Sequence, residues 1–170
     1  YEIRARLVGS EMCIRGSLYT EMIVANAIIR GDRKKLLSFK KIQNPVTLQV
    51  GGSNESELAE ACRISEQYGY KEINLNLGCP SKKVQKNKFG ACLMQEPKLV
   101  ARCIESMAKA TKLPITIKTR IGYNEVEDFE FLKSFIQTTK DAGSQKFIIH
   151  ARRALSVSYT HLTLPTKVYV

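Results

Sequence analysis

Paired cysteines and metal-binding motifs are missing from this chain. Its five cysteines are irregularly spaced and include no CxxC pair; they are Cys13, Cys62, Cys79, Cys92 and Cys103. Such an odd set argues against a zinc ribbon or a disulfide framework and indicates a reducing, cytoplasmic setting. With only two histidines in the chain and no carboxylates at the predicted strand ends, we expect no metal site.

Long apolar runs and nucleotide-binding signatures are also missing. No run approaches the roughly 20 apolar residues that a membrane span needs, so we expect no membrane partner. The first ten residues, YEIRARLVGS, have no apolar core and contain two arginines, unlike a signal peptide. Neither GxGxxG nor GxxxxGK[ST] occurs, which disfavours a dinucleotide fold and a P-loop.

Negative charge is scarce. The chain has 27 Lys and Arg residues against 16 Asp and Glu residues, a net charge of +11. Such a field attracts polyanions, of which nucleic acid is the commonest. Two basic clusters stand out, around residues 30–41 and in the lysines at 82, 83, 86 and 88. Each reads equally as a solvated surface or as a phosphate-binding surface.

Apolar runs alternate regularly with amphipathic stretches. Short, β-branched runs predict strands at 18–24, 45–50, 72–78, 114–122 and 146–152. Helical spacing predicts helices over 25–37, from Asn54 to Gly69, from Pro97 and over 126–141. One face of the second helix would carry Leu58, Ala61, Cys62 and Ser65, and the apolar positions of the last helix are Phe129, Leu132, Phe135 and Ile136. This order predicts parallel βαβ units, which a doubly wound sheet and a (β/α)8 barrel both satisfy.

Polar residues occur at the carboxyl ends of four predicted strands, namely Gln49, Asn76, Lys118 and His150. The carboxyl ends of parallel strands meet at one edge, so these side chains should converge. Amides, a lysine and a histidine suit an anionic, hydrogen-bonding cofactor. In a barrel, flavin mononucleotide (FMN) is a natural candidate.

Cys79 follows a predicted strand directly and lies between Gly78 and Pro80. Glycine permits close backbone approach and proline fixes the exit direction, so a thiol here can serve as nucleophile or general acid. Cys62 and Cys103 fall on predicted buried helix faces, and Cys92 lies in the apolar stretch FGACLM. We expect these three to pack.

Several segments together resemble the tRNA-dihydrouridine synthases, most closely the A-type subfamily. They are LYTEM, PVTLQVGGS, GYKEINLNLGCPSKKVQKNKFGACLM, PITIKTRIG and FIIHAR. The resemblance covers about residues 18–153 and implies a partial FMN-binding (β/α)8 TIM barrel containing strands two to six. It also implies that a monomeric full-length enzyme would reduce uridine to dihydrouridine in the D-loop of tRNA, with NADPH as reductant.

The resemblance assigns roles to individual residues. Cys79, in GCP, matches the general acid that protonates carbon 5 of the uracil. Gln49, Lys118 and His150 match FMN ligands, and Asn76 matches a residue that contacts the substrate uridine.

Both ends depart from the family pattern. Residues 1–17 lack the APM motif of the first barrel strand, and residues 154–170 replace the later strands and the helical tRNA-binding domain. We expect both ends to be non-native sequence flanking an internal fragment. Because three of eight strands would be missing, we also expect this polypeptide to be weakly folded and inactive by itself.

Two other functions remain open on the residues alone. One is an FMN-barrel dehydrogenase acting on a free pyrimidine, and the other is a basic α/β module that binds RNA without catalysis. The lysines at 82–88 and the net charge favour RNA over a free base.

Overall fold

The computed structural model describes residues 18–39, 45–124 and 128–155. Its strands are β1 (Leu18–Tyr19), β2 (Ile23–Val24), β3 (Val46–Gly51), β4 (Glu72–Leu77), β5 (Ile115–Arg120) and β6 (Lys146–His150). Its helices are α1 (Ala25–Arg30), α2 (Arg33–Leu37), α3 (Glu55–Ser65), α4 (Lys82–Lys86), α5 (Pro97–Ala110) and α6 (Phe129–Asp141). Short 3₁₀ helices span Glu66–Tyr68 and Gly90–Gln95. Residues 1–17 and 156–170 of the two expected non-native ends, with Cys13 and His161, lie outside the described ranges.

All strand pairings in the described ranges are parallel. The sheet order is β1-β3-β4-β5-β6, and β2 also pairs with β3. Between β3 and β6, at least one helix separates each strand from the next strand along the chain, as parallel crossovers require. The predicted fold class is therefore confirmed: the chain forms part of a (β/α)8 barrel.

The alternation of side chains gives the sheet two unlike faces. One face is apolar, and its buried residues include Leu48, Val50, Ile73, Leu75 and Ile117. These side chains join one hydrophobic cluster with buried residues of α3 and α5, which pack against each other. The other face carries the polar residues described below.

The predicted strand at 18–24 is interrupted. Tyr19 pairs with Thr47 and Ile23 pairs with Val50, so three residues lie opposite two. One extra residue in one strand is a β-bulge. The Thr20 hydroxyl accepts a hydrogen bond from the Gln49 N–H at 3.0 Å, which satisfies a donor that the continuous ladder would otherwise use.

The predicted basic helix at 25–37 is two short helices. Helix α1 ends at Arg30 with Gly31 as its C-cap, and Asp32 caps the start of α2 by accepting a hydrogen bond from the Lys35 N–H at 3.1 Å. Aspartate is favoured at the N-cap of a helix and disfavoured in a helix interior, which explains the break.

The predicted helix at 126–141 begins later, at Phe129, with Asp128 as its N-cap. Residues 125–127 lie outside the described ranges. Phe129 is 73% exposed, so its predicted place on the packed face is wrong. Phe131 packs there instead.

The predicted helices after Asn54 and from Pro97 are confirmed. Asn54 accepts a hydrogen bond from the Glu57 N–H at 3.0 Å, and Gly69 ends the following turn with a φ of +85°. Leu58, Ala61 and Ser65 of α3 are fully buried, as their spacing predicts. Helix α5, at 14 residues, is the longest helix described, and none of those helices combines the length and hydropathy that a bilayer crossing requires.

Candidate active site at the carboxyl edge of the sheet

A cleft of about 240 Å³ opens where β4, β5 and β6 end. Four of the five predicted site residues line it, namely Asn76, Cys79, Lys118 and His150. The fifth, Gln49, is only 4% exposed and does not line this cleft. It lies beneath Asn76, whose side-chain amide donates a hydrogen bond to the Gln49 Oε1 at 2.8 Å.

Asn76 shapes the turn that carries Cys79. Its Oδ1 accepts hydrogen bonds from the Gly78 and Cys79 N–H groups, both at 3.0 Å. This is an Asx-type turn, in which a side chain takes the place of a backbone acceptor. An amide has two N–H donors, so one beyond the Gln49 bond is left for a ligand.

A ladder of amides runs below the cleft on the polar face of the sheet. Gln49 donates to Asn74 at 3.4 Å, and Asn74 donates to the Thr116 hydroxyl at 2.9 Å. All three side chains are almost fully buried. Buried amides retain their partners because an unsatisfied one costs about 1–3 kcal/mol. The ladder therefore fixes the orientation of Asn76 from underneath.

The segment after Cys79 folds back onto it. The Ala91 N–H donates to the Cys79 carbonyl at 3.0 Å. Gly90 makes this approach possible, with a φ of +78°; a Cβ there would lie 2.5 Å from Val84 and 2.8 Å from the Cys79 carbonyl oxygen. Cys79 is thus held from both directions, by Asn76 through its N–H and by Ala91 through its carbonyl.

Cationic groups line the cleft beside Cys79. Burial, and then the neighbouring Arg120, lower the pKa of Lys118. Burial also lowers the pKa of Arg120, whose Nε donates to the Gly78 carbonyl at 2.7 Å. Two partly buried cations in one cleft favour an anionic ligand, whose binding would relieve their repulsion.

His150 ends β6 at the rim of this cleft. Burial, followed by the charges of Arg120, Lys118 and Arg152, lowers the pKa of its imidazole. Near neutral pH the ring is therefore uncharged and offers one donor and one acceptor to a ligand.

Arg120 was not among the predicted site residues. Its signal was present in the sequence: in the strand ITIKTR, Arg120 lies two positions after Lys118 and therefore on the same face. The structure confirms this, since Lys118 and Arg120 both line the cleft, and Arg120 pairs with His150.

The other described cysteines differ from Cys79 in their surroundings. Cys62 and Cys103 are buried, as predicted, and burial raises their pKa values to about 12 and about 11. Burial also raises the pKa of Cys92, whose thiol donates to the Phe89 carbonyl at 3.3 Å. None of these three lines the cleft.

The lysines that follow Cys79 are not in an open loop. Lys82–Lys86 form α4, a helix of five residues, and the four lysines at 82, 83, 86 and 88 are exposed. Within the described ranges no group of three or more metal-ligating side chains comes together.

Comparison with known proteins identifies the family of this chain. The family described as Dihydrouridine synthase (Dus) matches residues 4–167. A tRNA-dihydrouridine(20/20a) synthase of Synechocystis sp. is 51% identical over 137 residues, covering 81% of this chain and 41% of that protein. One from Shewanella oneidensis is 47% identical over 154 residues, covering 91% of this chain and 44% of that protein. One from Xanthomonas campestris is 49% identical over 137 residues, with 81% and 41% covered.

The chain therefore spans about two fifths of the length of the curated relatives it matches. Because the family match extends over nearly the whole sequence, the chain belongs to the dihydrouridine synthase family.

Proposed function

We propose that the enzyme of which this chain forms part reduces uridine to 5,6-dihydrouridine in the D-loop of tRNA, using FMN and NADPH, and that the 170 residues are inactive by themselves. The observation that carries this proposal is the placement of Cys79 beside Asn76, Lys118 and His150 in one cleft of a partial barrel. Family membership and the names of the relatives support the same reaction.

The residues present fit a flavin chemically. FMN is planar, rich in hydrogen-bonding groups and anionic through its phosphate, and its reduced ring gains negative charge. Lys118 and His150 would hold it from the cleft, with the Lys118 cation stabilising that charge. Gln49 would contribute from beneath the cleft through its second amide N–H, because its first N–H donates to Asn74 and its Oε1 accepts from Asn76.

The reaction adds one hydride and one proton across the C5=C6 bond of uracil. The hydride for carbon 6 would come from a bound FMN that NADPH has reduced. Cys79 donates its thiol proton to carbon 5, where the electron pair of the double bond arrives. Asn76 orients the base through its remaining N–H. The turn of Asn76 and the fold-back of Ala91 hold the Cys79 backbone on both sides, which limits the positions that its thiol can take during the transfer.

The net charge of +11 and the exposed lysines of α4 support a polyanionic substrate over a free pyrimidine. Taking a base out of its stack costs a few kcal/mol, which contacts between lysines and phosphates offset.

A chimera tests the reaction. The matching 137-residue segment of the Synechocystis relative is replaced by the corresponding residues of this chain, and the product is given FMN, NADPH and unmodified tRNA. We expect mass spectrometry of the digested tRNA to show uridine that has gained two hydrogens, only when NADPH is present. Reduction of free uracil without reduction of tRNA would instead support a free-pyrimidine dehydrogenase. RNA binding without either product would support a non-catalytic module.

A further inference from the structure

A second cavity, of about 490 Å³, lies close to the candidate active site. The two cavities share no lining residue, yet the segment 79–89 lines both. Cys79 and Pro80 face the first, and Lys83, Val84 and Phe89 face the second. The volume is within the range of known ligand pockets, roughly 300–1,000 Å³.

The floor of the second cavity is apolar. Met22, Val24, Val84 and Phe89 line it. Gly51 allows this packing, since a Cβ there would lie 2.8 Å from the Met22 sulfur and 3.2 Å from Phe89 Cδ2. Met22 is the last residue of the bulge between β1 and β2, which sets where its side chain lies. A floor of this kind suits the face of a flat ring.

The rim of the second cavity is polar and of mixed charge. Glu57 and Asn54 lie on one part of it and Lys83 on another. The Glu57 carboxylate is held by Asn26, whose amide donates to its Oε1 at 2.9 Å. The Asn54 Oδ1 already accepts from the Glu57 N–H, so the Asn54 amide presents donors.

Charge complementarity points to a nucleotide as the occupant. The stretch 73–95 contains four lysines and no acidic residue, and all four lysines are exposed on or beside α4. The phosphate of a nucleotide would be attracted by Lys83 and repelled by Glu57. The base of the same nucleotide would therefore lie against Glu57. Unpaired RNA bases are recognised in this way, by an apolar surface and by hydrogen bonds to their edges.

The carboxylate restricts which base fits. Ionised glutamate only accepts hydrogen bonds, so it favours a base with an exocyclic amino group. Guanine offers two adjacent N–H donors, whereas uracil offers one. We propose that the second cavity binds the base of a further unpaired RNA nucleotide that carries an exocyclic amino group, with its phosphate on α4. This rests on the proposed function, because it assumes an RNA substrate whose target uridine occupies the first cleft.

Binding of short RNAs to the chimera with the Synechocystis relative tests this proposal. The probes are a fluorescein-labelled oligouridine and the same oligomer with one central guanosine, titrated by fluorescence anisotropy at one fixed salt concentration. We expect the guanosine oligomer to bind at least about fivefold more tightly. Glu57→Gln should reduce that preference to less than about twofold and leave oligouridine binding unchanged, because glutamine still accepts from Asn26 but lacks the charge.

Lys83→Gln should weaken both RNAs to the same extent. The matched control is Lys112→Gln, the same change at an exposed residue beside the amino ends of the strands, and it should alter neither affinity. Equal affinity of the chimera without further substitution for the two RNAs, or a guanosine preference that survives Glu57→Gln, overturns the second site. Either result leaves the proposed function standing, since the dihydrouridine assay of the chimera tests that separately.

Discussion

The two faces of the parallel sheet are buried alike but stabilised differently. On the apolar face, Leu75 and Ile117 are at most 1% exposed and pack with the helices. On the polar face, Asn74 and Thr116 are fully buried as well, yet each depends on a hydrogen bond. A hydrophobic core needs only an apolar face. A buried polar face requires every polar group to be paired, and the carboxyl edge of this polar face forms the cleft that holds Cys79.

The largest expected effect comes from the apolar face. Leu75→Ala removes a buried side chain between sheet and helices, and we expect it to lower the free energy of unfolding by about 2–5 kcal/mol. Urea denaturation followed by circular dichroism measures this. Leu155→Ala is the control, because Leu155 is 56% exposed and its loss should change stability by less than about 0.5 kcal/mol. Equal losses in the two variants would show that the apolar face is not packed as described.

A smaller loss is expected from the polar face. Asn74→Ala removes the acceptor of the Gln49 amide and the donor to the Thr116 hydroxyl, so the free energy of unfolding should fall by about 1–3 kcal/mol. The same urea titration measures it, with Gln137→Ala as the control for losing an exposed amide. If Asn74→Ala unfolds with an unchanged midpoint, the amide ladder does not stabilise this face.

The smallest effect is a shift in the titration of His150. We expect the imidazole resonance that disappears in His150→Asn to titrate below the ordinary value of 6.5. Lys118→Met should move that midpoint upward, because it removes a cation that opposes protonation of the ring. Since the folded pKa lies below the unfolded one, the unfolded state binds more protons in this window. The stability contribution is present above the unfolded pKa and falls as the pH is lowered through the window. An unchanged midpoint in Lys118→Met would show that the charge of Lys118 does not lower the pKa of His150.

Much of the fold could be predicted from the sequence because its signals are local. Apolar runs and cap residues such as Asn54 predict β3 to β6 and the helices α3 and α5 to within a few residues. The bulge between β1 and β2 could not be predicted, because it depends on a hydrogen bond between Thr20 and Gln49, 29 positions apart. Phe129 was misplaced for a related reason: the position of the Asp128 cap decides which aromatic faces inward.

The candidate site shows the same limit. That Asn76, Cys79, Lys118 and His150 lie together follows from parallel strands ending at one edge. That Gln49 lies beneath Asn76, outside the cleft, depends on the register between β3 and β4 and on side-chain hydrogen bonds. Sequence periodicity gives the face of a strand on which a residue lies, but not its depth below the edge.

The most direct test of the account is the rate of uridine reduction in Cys79→Ala, with Cys92→Ala as the matched cysteine control. Both are introduced into the chimera with the Synechocystis relative, and dihydrouridine formation in tRNA is followed in a single turnover from the reduced enzyme. We expect Cys79→Ala to slow the reaction about 10²–10⁴-fold with FMN content and tRNA affinity unchanged, because a general acid contributes about that much. Cys92→Ala should stay within about threefold of the parent, since its thiol lies outside the cleft. A Cys79→Ala protein that reduces tRNA at the parent rate would contradict the central claim.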